Sequence, residues 1–106
     1  MTKMIQFKTY KPYNFVMDVN NKRIRIHIRY NSYTDSYYMN VDRLNQGLYE
    51  NIINSIALVT GVDLFLQHPQ FDLGEFWVVP FKTDYYSESP KASTIQNFVI
   101  WSVSRD

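Results

Sequence analysis

The chain has 106 residues, of which 45% are hydrophobic, 20% are charged and 17% are aromatic, and its formal net charge is +1. These values are typical of one globular domain, and they exclude a disordered chain or one that its overall charge draws to nucleic acid. The absence of cysteine excludes disulfides and thiolate metal sites, and no run of 18 apolar residues could form a membrane helix. We therefore expect a single domain over residues 1–106 with no membrane segment.

The first third of the chain alternates polar and apolar residues with the two-residue period of a β-strand. It predicts strands at 4–9, within an N-terminal strand or arm at 1–12, and at 14–19. The pair Asn20-Asn21 predicts a tight hairpin turn, because asparagine tolerates positive φ. The returning strand at 22–31, KRIRIHIRYN, alternates isoleucine with arginine and histidine, and β-branched isoleucine favours strands.

Beyond residue 31 the predicted elements are shorter and are separated by polar turns. In chain order they are a turn at 31–36, a strand at 37–42, a turn or loop at 43–50, a loop or strand at 50–55, a strand at 56–60, one or two helical turns at 62–68 ended by Pro69, a strand at 73–81, a polar loop at 82–93 and a last strand at 95–103. The pattern predicts an all-β fold, an antiparallel β-sandwich or small barrel of about seven strands with one short helical turn near 62–68.

The sequence carries no catalytic signature such as a serine elbow or a glycine-rich phosphate loop. His27 and His68 have no histidine or cysteine partner at ligand spacing, so we expect no metal and no other cofactor. Some carboxylates could in principle pair as acid and base, although solvated or turn positions suit them better: Asp63, Asp72, Glu75 and Asp84. We predict that the protein is not an enzyme.

The strand at 22–31 carries a row of potential cations: Arg23, Arg25, His27 and Arg29. Alternate residues of a strand lie about 6.6–7 Å apart, close to backbone phosphate spacing, so this row and nearby tyrosines could hold a single-stranded nucleic acid. The row could instead be the solvated face of a half-buried strand, or it could line an interface with a protein partner. A net charge of +1 disfavours nucleic acid.

The cluster YNSYTDSYY at 30–38 places tyrosine in two different settings. Tyr30 and Tyr37 follow the apolar register of their strands, so we expect them in the core. Tyr33 lies in the turn between them and could contact a partner protein or stack on a sugar ring. Gly61 and Gly74 border apolar segments, and we expect both to supply backbone angles that other residues resist.

An ordered series of motifs spans residues 13–101. It comprises IRYN (28–31, with Tyr30 and Asn31), a polar loop containing Asp35, the aromatic strand YYMNV (37–41), IALVTGVDLFLQH (56–68, with Gly61, Asp63 and Leu64), LGEFWVV (73–79, with Gly74) and FVIW (98–101). This series resembles the small baseplate plug proteins of contractile-tailed phages, as described for cyanophage baseplates. GVDLFLQ with LGEFWV is its most specific part. The chain departs from the family pattern at two positions: it has Tyr37 where the family commonly has tryptophan, and Asn40 where the family usually has an acidic residue.

The resemblance implies a structural virion protein of the tail baseplate, assembled in the host cytoplasm. Such a plug would close the distal end of the tail tube until contraction, as symmetric copies packed against hub, spike and tube proteins. The candidate contacts with partners are Arg23, Arg25, His27, Arg29 and Tyr33, with the 82–93 loop as a second surface. The alternative function is a small β-rich module that binds single-stranded nucleic acid or carbohydrate through the same residues.

Overall fold

The computed structural model describes residues 2–6, 13–80 and 89–104. In these ranges seven strands form two antiparallel sheets, one with the order β1-β7-β6 and the other with the order β2-β3-β4-β5. The strands are β1 (Thr2–Gln6), β2 (Tyr13–Val19), β3 (Lys22–Asn31), β4 (Ser36–Asn45), β5 (Leu48–Ala57), β6 (Glu75–Pro80) and β7 (Phe98–Val103). The predicted all-β antiparallel class is confirmed.

One hydrophobic core receives buried side chains from both sheets. In β3 the alternation predicted from the sequence is realised, because Ile24, Ile26 and Ile28 are fully buried while the intervening residues face outward. Phe76 and Ile100 enter the same core from the three-stranded sheet. Two sheets that bury their inner faces against a shared core correspond to the sandwich rather than the barrel.

The hairpin turn at Asn20-Asn21 forms as predicted, with φ angles of 48° and 66°. The turn or loop predicted at 43–50 is wrong, because β4 continues through Asn45 and β5 begins at Leu48. Only Gln46 and Gly47, both with positive φ, make the turn. The stretch misleads because none of residues 43–50 is buried, so this end of the hairpin has no apolar face and no apolar alternation.

Several other boundaries differ from the prediction. The first strand is Thr2–Gln6, and the rest of the predicted 4–9 strand lies outside the described residues, as does most of the 82–93 loop. Residues 50–55 belong to β5, which ends at Ala57, so the strand predicted at 56–60 is mostly absent. The strand predicted at 73–81 is shorter, and residues 95–97 form a 3-10 turn before β7.

Helical turns form within the predicted 62–68 stretch, where Leu66 and His68 donate backbone hydrogen bonds to the carbonyls three residues earlier. These turns stop before Pro69, and a regular 3-10 turn then covers Pro69–Phe71. Pro69 can begin this second turn because a proline at the first helical position loses no hydrogen bond. Within the described ranges, no helix has the length and apolar character needed to cross a bilayer.

Candidate functional site

The cation row lies on the outer face of the four-stranded sheet, where β3 is flanked by β2 and β4. The strand register sets an acid beside two of the cations, since Arg23 is opposite Asp18 and Arg25 is opposite Asp42. Residues directly opposite on an antiparallel pair share a face and interact. The row is therefore interleaved with acids rather than forming an uninterrupted positive stripe.

The first cation of the row is paired at the surface. The Nε of Arg23 lies 2.9 Å from Oδ1 of Asp18, and both side chains are about half exposed. The hydrogen bond and the charge of Asp18 raise the pKa of Arg23. Salt screens such an exposed pair, so it orders the guanidinium without adding much stability.

Asp42 is the centre of the polar network on this face. Its carboxylate is buried and accepts hydrogen bonds from Nη2 of Arg25 at 3.0 Å, Nε2 of His27 at 2.7 Å and Nδ2 of Asn51 at 3.1 Å. Burial opposes ionisation, but the bonds from Asn51, His27 and Arg25 outweigh it and lower the pKa of Asp42. The Arg25 guanidinium also lies 4.3 Å from the centre of the Tyr49 ring.

His27 is engaged at both ring nitrogens. Because the ionised carboxylate of Asp42 only accepts, Nε2 carries a proton, while Nδ1 lies 2.6 Å from the Asn14 side-chain oxygen. Neither nitrogen is left to act as a base or a metal ligand. Among the residues that the structure describes, no group of three or more histidines and acids could hold a metal ion.

Arg29 differs from the other arginines of the row. Its Nη2 donates to Oδ1 of Asn40 at 3.2 Å and Oγ of Ser55 at 3.4 Å, and no carboxylate of the described residues pairs with it. Asn40 Oδ1 also accepts the backbone N–H of Ser55 at 2.9 Å. Ser55 has a φ of 56° and lies at a β-bulge, where β5 has one more residue than β4.

A position was predicted for three of the four tyrosines of the 30–38 cluster, and two of these three lie where the sequence places them. Tyr37 is buried and Tyr33 is 97% exposed at the β3–β4 turn. Tyr30 is only half-buried, because its ring packs 5.0 Å from that of Tyr37 while its hydroxyl reaches Asp35 at 2.7 Å. The Tyr33 backbone N–H donates to the side chain of Asn31, which orders the turn.

Asp35 ties this turn to the segment before β7. Its Oδ1 accepts the backbone N–H of Ala92 at 3.0 Å as well as the Tyr30 hydroxyl. These two bonds, of which that from Ala92 is the larger cause, lower the pKa of Asp35. Asp35 itself has a φ of 47°, a left-handed conformation that aspartate tolerates better than most residues.

The segments GVDLFLQ and LGEFWV lie against each other. Asp63 Oδ1 accepts the backbone N–H groups of Phe65 at 3.0 Å and Phe76 at 2.9 Å, and the Leu64 N–H donates to the Phe76 carbonyl at 2.8 Å. Gly74 has a φ of 70°, and a Cβ there would overlap the Val103 carbonyl oxygen. Gly61 also has positive φ but faces open space, so its role is conformational.

The other carboxylates considered as acid or base have separate structural partners. Asp72 pairs with Lys22 at 3.2 Å and accepts from the buried side chain of Asn20. Glu75 accepts from Nε1 of Trp77 at 3.0 Å, and Asp84 lies outside the described residues. Asp63 and Asp72 therefore join separate segments, whereas Glu75 bonds within its own strand, and each of the three has different partners.

The sequence reasoning missed the acids that neutralise the row. A two-residue turn at Asn20-Asn21 fixes the β2–β3 register, so the pairing of Asp18 with Arg23 was available from the sequence. The pairing of Asp42 with Arg25 required the length of the next turn, which the polar residues 31–36 do not define. The bulges of β5, which place Asn51 and Ser55 beside the row, have no sequence signal that we recognise.

Comparison with known proteins identifies the family to which the chain belongs. No curated protein matches the chain. The family model described as cyanophage baseplate Pam3 plug gp18 matches residues 2–102 of the 106. This match covers the two sheets and the docked GVDLFLQ and LGEFWV segments. The chain therefore belongs to the family of the cyanophage baseplate plug proteins, and it is a structural component of the phage tail baseplate.

Proposed function

We propose that the protein closes and braces the distal end of the tail tube by packing against the hub proteins of the baseplate. The observation that carries this proposal is the family match over nearly the whole chain, which implies association with other baseplate components. The mechanism is shape and charge complementarity, without a chemical step. Tail hub, spike and tube proteins are the proposed partners, with symmetric copies assembled in the host cytoplasm.

Exposed apolar side chains support a role in packing. On the outer face of the three-stranded sheet, Trp101 lies directly between Met4 on β1 and Trp77 on β6. Met4 is 55% exposed and Trp101 40% exposed, and both lie on the solvent side of the sheet. A contiguous aromatic and thioether row is typical of a surface that another protein covers, because tryptophan and methionine are enriched at interfaces.

A second exposed apolar group lies on the family motif itself. Leu66 is 70% exposed and Val62 is 46% exposed on the turn that follows Gly61. They border a depression of about 410 Å³ between this turn and the end of β5. Oδ1 of Asp63 accepts the backbone N–H groups of Phe65 and Phe76, so the turn presents these side chains in a fixed arrangement.

The cation row, Arg23, Arg25, His27 and Arg29, is proposed together with Tyr33 as a further contact surface. Their availability differs, because Arg23, Arg25 and His27 already bond to Asp18 or Asp42. Arg29 and Tyr33 remain the members best suited to a partner. The 82–93 loop stays a proposed second surface.

Neutralisation of the row weakens the alternative of a nucleic-acid module. A row that binds successive phosphates needs several unpaired cations, and here two of three arginines pair with carboxylates of the same sheet. No specific observation favours a carbohydrate over a protein ligand. We therefore place protein packing first.

Co-purification distinguishes these functions. The protein is co-expressed with the hub, spike and tube proteins of its phage, and a tagged copy is recovered after nuclease treatment. Recovery of a hub complex that survives nuclease supports the proposed plug. Failure to recover any of the three, together with salt-sensitive binding of a single-stranded oligonucleotide that Arg25→Ala abolishes, would reject it in favour of the nucleic-acid module.

A further inference from the structure

We propose that Arg29 and Tyr33 form a binding site for a carboxylate side chain, an aspartate or glutamate, on a partner protein of the baseplate. This inference rests on the proposed plug function and gives the chemistry of one of its contacts. The site, called here the Arg29 site, is a depression of about 490 Å³ at the end of the outer face. Its lining residues are Arg29, Tyr30, Asn31, Ser32, Tyr33, Tyr38 and Ser55.

The charge of the site favours a carboxylate as its ligand. Arg29 is exposed, and the lining of its depression includes no acidic residue. The nearest acid of the same turn, Asp35, already accepts from Tyr30 and Ala92. Among the residues that the structure describes, the Arg29 site is therefore locally positive, whereas the rest of the row is internally balanced. An isolated guanidinium at the edge of a neutral network fits one anionic group rather than a polyanion.

Arg29 also has hydrogen-bond donors that its contacts do not use. Both of its contacts within the described part of the chain use Nη2, which leaves the N–H groups of Nε and Nη1 for a ligand. Guanidinium donors bind carboxylate oxygens with short, charge-assisted hydrogen bonds. Hydroxyl and amide groups of Ser32 and Asn31 line the same depression and can complete the coordination of a second oxygen.

The groups of the Arg29 site are held in place before a ligand binds. Asn40 and Ser55 hold the Arg29 guanidinium, and the bulge of β5 fixes Ser55 because Asn40 also accepts its backbone N–H. The Tyr33 turn is held by the bond from its N–H to Asn31 and by the bond between the Thr34 and Ser36 hydroxyls. A site whose groups are already fixed loses less entropy when it binds.

The aromatic rings favour a protein as the source of the carboxylate. Tyr33 is 97% exposed and stands at the rim, while Tyr38 lines the depression. Tyrosine and arginine together are the residues most enriched at the energetic centres of protein interfaces. A tyrosine at the rim can cover the methylene groups of a bound glutamate and exclude water from the ion pair.

The first experiment uses a defined probe. The ¹⁵N-labelled protein is titrated with the blocked tripeptide acetyl-Gly-Glu-Gly-amide, and acetyl-Gly-Gln-Gly-amide serves as the uncharged control. We expect saturable shifts of the Arg29 Nε–H and Tyr33 amide signals with the glutamate peptide only, and their loss in Arg29→Gln. Equal responses to both peptides, no response to either, or a response to inorganic phosphate but not to the glutamate peptide would overturn the inference.

The second experiment uses the assembled partner. Binding to co-expressed hub, spike and tube proteins is compared for the unaltered protein, Arg29→Gln, Tyr33→Ala and the matched control Arg23→Gln. Loss of a charge-assisted hydrogen bond predicts about 10- to 100-fold weaker binding for Arg29→Gln, and little change for Arg23→Gln, whose guanidinium already pairs with Asp18. Preserved chemical-shift dispersion in each variant verifies that it folds.

The results of this experiment test the plug function and the carboxylate site separately. If all four proteins bind the baseplate components equally well, the plug function stands and the carboxylate site is wrong. If the unaltered protein binds none of these components, the plug function is wrong, and the peptide titration alone then decides the Arg29 site.

Discussion

The carboxylate of Asp63 accepts the backbone N–H of Phe76 at 2.9 Å and so joins two segments separated by 13 residues in the chain. The same oxygen accepts the Phe65 N–H at 3.0 Å, which closes the turn that bears Leu64. Leu64 is buried in the core beside Phe76. One side chain thus positions the turn, the start of β6 and a core residue, which gives a physical reason for an acid at this place in the motif.

Removal of the Asp63 carboxylate should destabilise the fold. In Asp63→Ala the N–H groups of Phe65 and Phe76 lose their acceptor, and we expect the free energy of unfolding to fall by about 1–3 kcal/mol. Asp63→Asn retains an acceptor oxygen and should lose less. Urea unfolding followed by tryptophan fluorescence measures both values, and equal losses would show that charge rather than hydrogen bonding matters here.

Gly74 provides a test of close packing between strands. An alanine at position 74 would overlap the Val103 carbonyl oxygen and would also adopt a φ of 70°. We expect Gly74→Ala to cost more than 2 kcal/mol, against about 1 kcal/mol for Gly61→Ala, which has positive φ but open space. Thermal unfolding of both variants gives the comparison. Similar losses of stability in the two variants would mean that the positive φ alone, and not the contact with Val103, requires glycine at position 74.

The acid-sensitive part of the fold should include Asp42. Its folded-state pKa lies below its ordinary value, so it stabilises the native state above about pH 4 and this contribution disappears as pH falls through the folded pKa. We expect Asp42→Asn to be destabilised relative to the unaltered protein at pH 7, with a difference that narrows toward pH 3. Urea unfolding between pH 3 and pH 7 measures this difference in stability. A difference that does not change with pH would contradict a lowered pKa of Asp42.

The Tyr30 hydroxyl should help to keep Asp35 ionised. Bonds from the Ala92 backbone and from Tyr30 lower the pKa of Asp35, and they act in the same direction. In Tyr30→Phe we therefore expect this pKa to rise toward its ordinary value while remaining below it, because the Ala92 bond persists. NMR of the Asp35 side-chain carboxyl carbon as a function of pH measures this pKa. An unchanged pKa would show that the Tyr30 hydroxyl does not contribute and that the Ala92 bond alone lowers the pKa of Asp35.

Features set by local chemistry were predictable from the sequence. The isoleucine period of β3 and the turn at Asn20-Asn21 depend on neighbouring residues only, and both are confirmed. The tip of the β4–β5 hairpin was missed because none of residues 43–50 is buried and its turn is reduced to Gln46 and Gly47. A strand whose faces are neither uniformly polar nor uniformly apolar carries a weak periodic signal.

The candidate site was only partly predictable for a related reason. Sequence alone identified the cations of β3 and the exposed Tyr33, but it could not distinguish Arg29 from Arg25. That distinction depends on Asp42 and Ser55, which reach the row through strand register and a bulge. Long-range pairing sets both, and no local pattern encodes it. The docking of Asp63 on Phe76 is likewise a long-range contact, although both segments were singled out as motifs.

Cryo-electron microscopy of the phage tail tests the plug proposal most directly. The account predicts that density matching this seven-stranded fold lies at the distal end of the tail tube, in symmetric copies that contact the hub. It also predicts that this density leaves the axis after contraction. Density for the chain elsewhere in the baseplate, away from the tube axis and the hub, would contradict the proposed role.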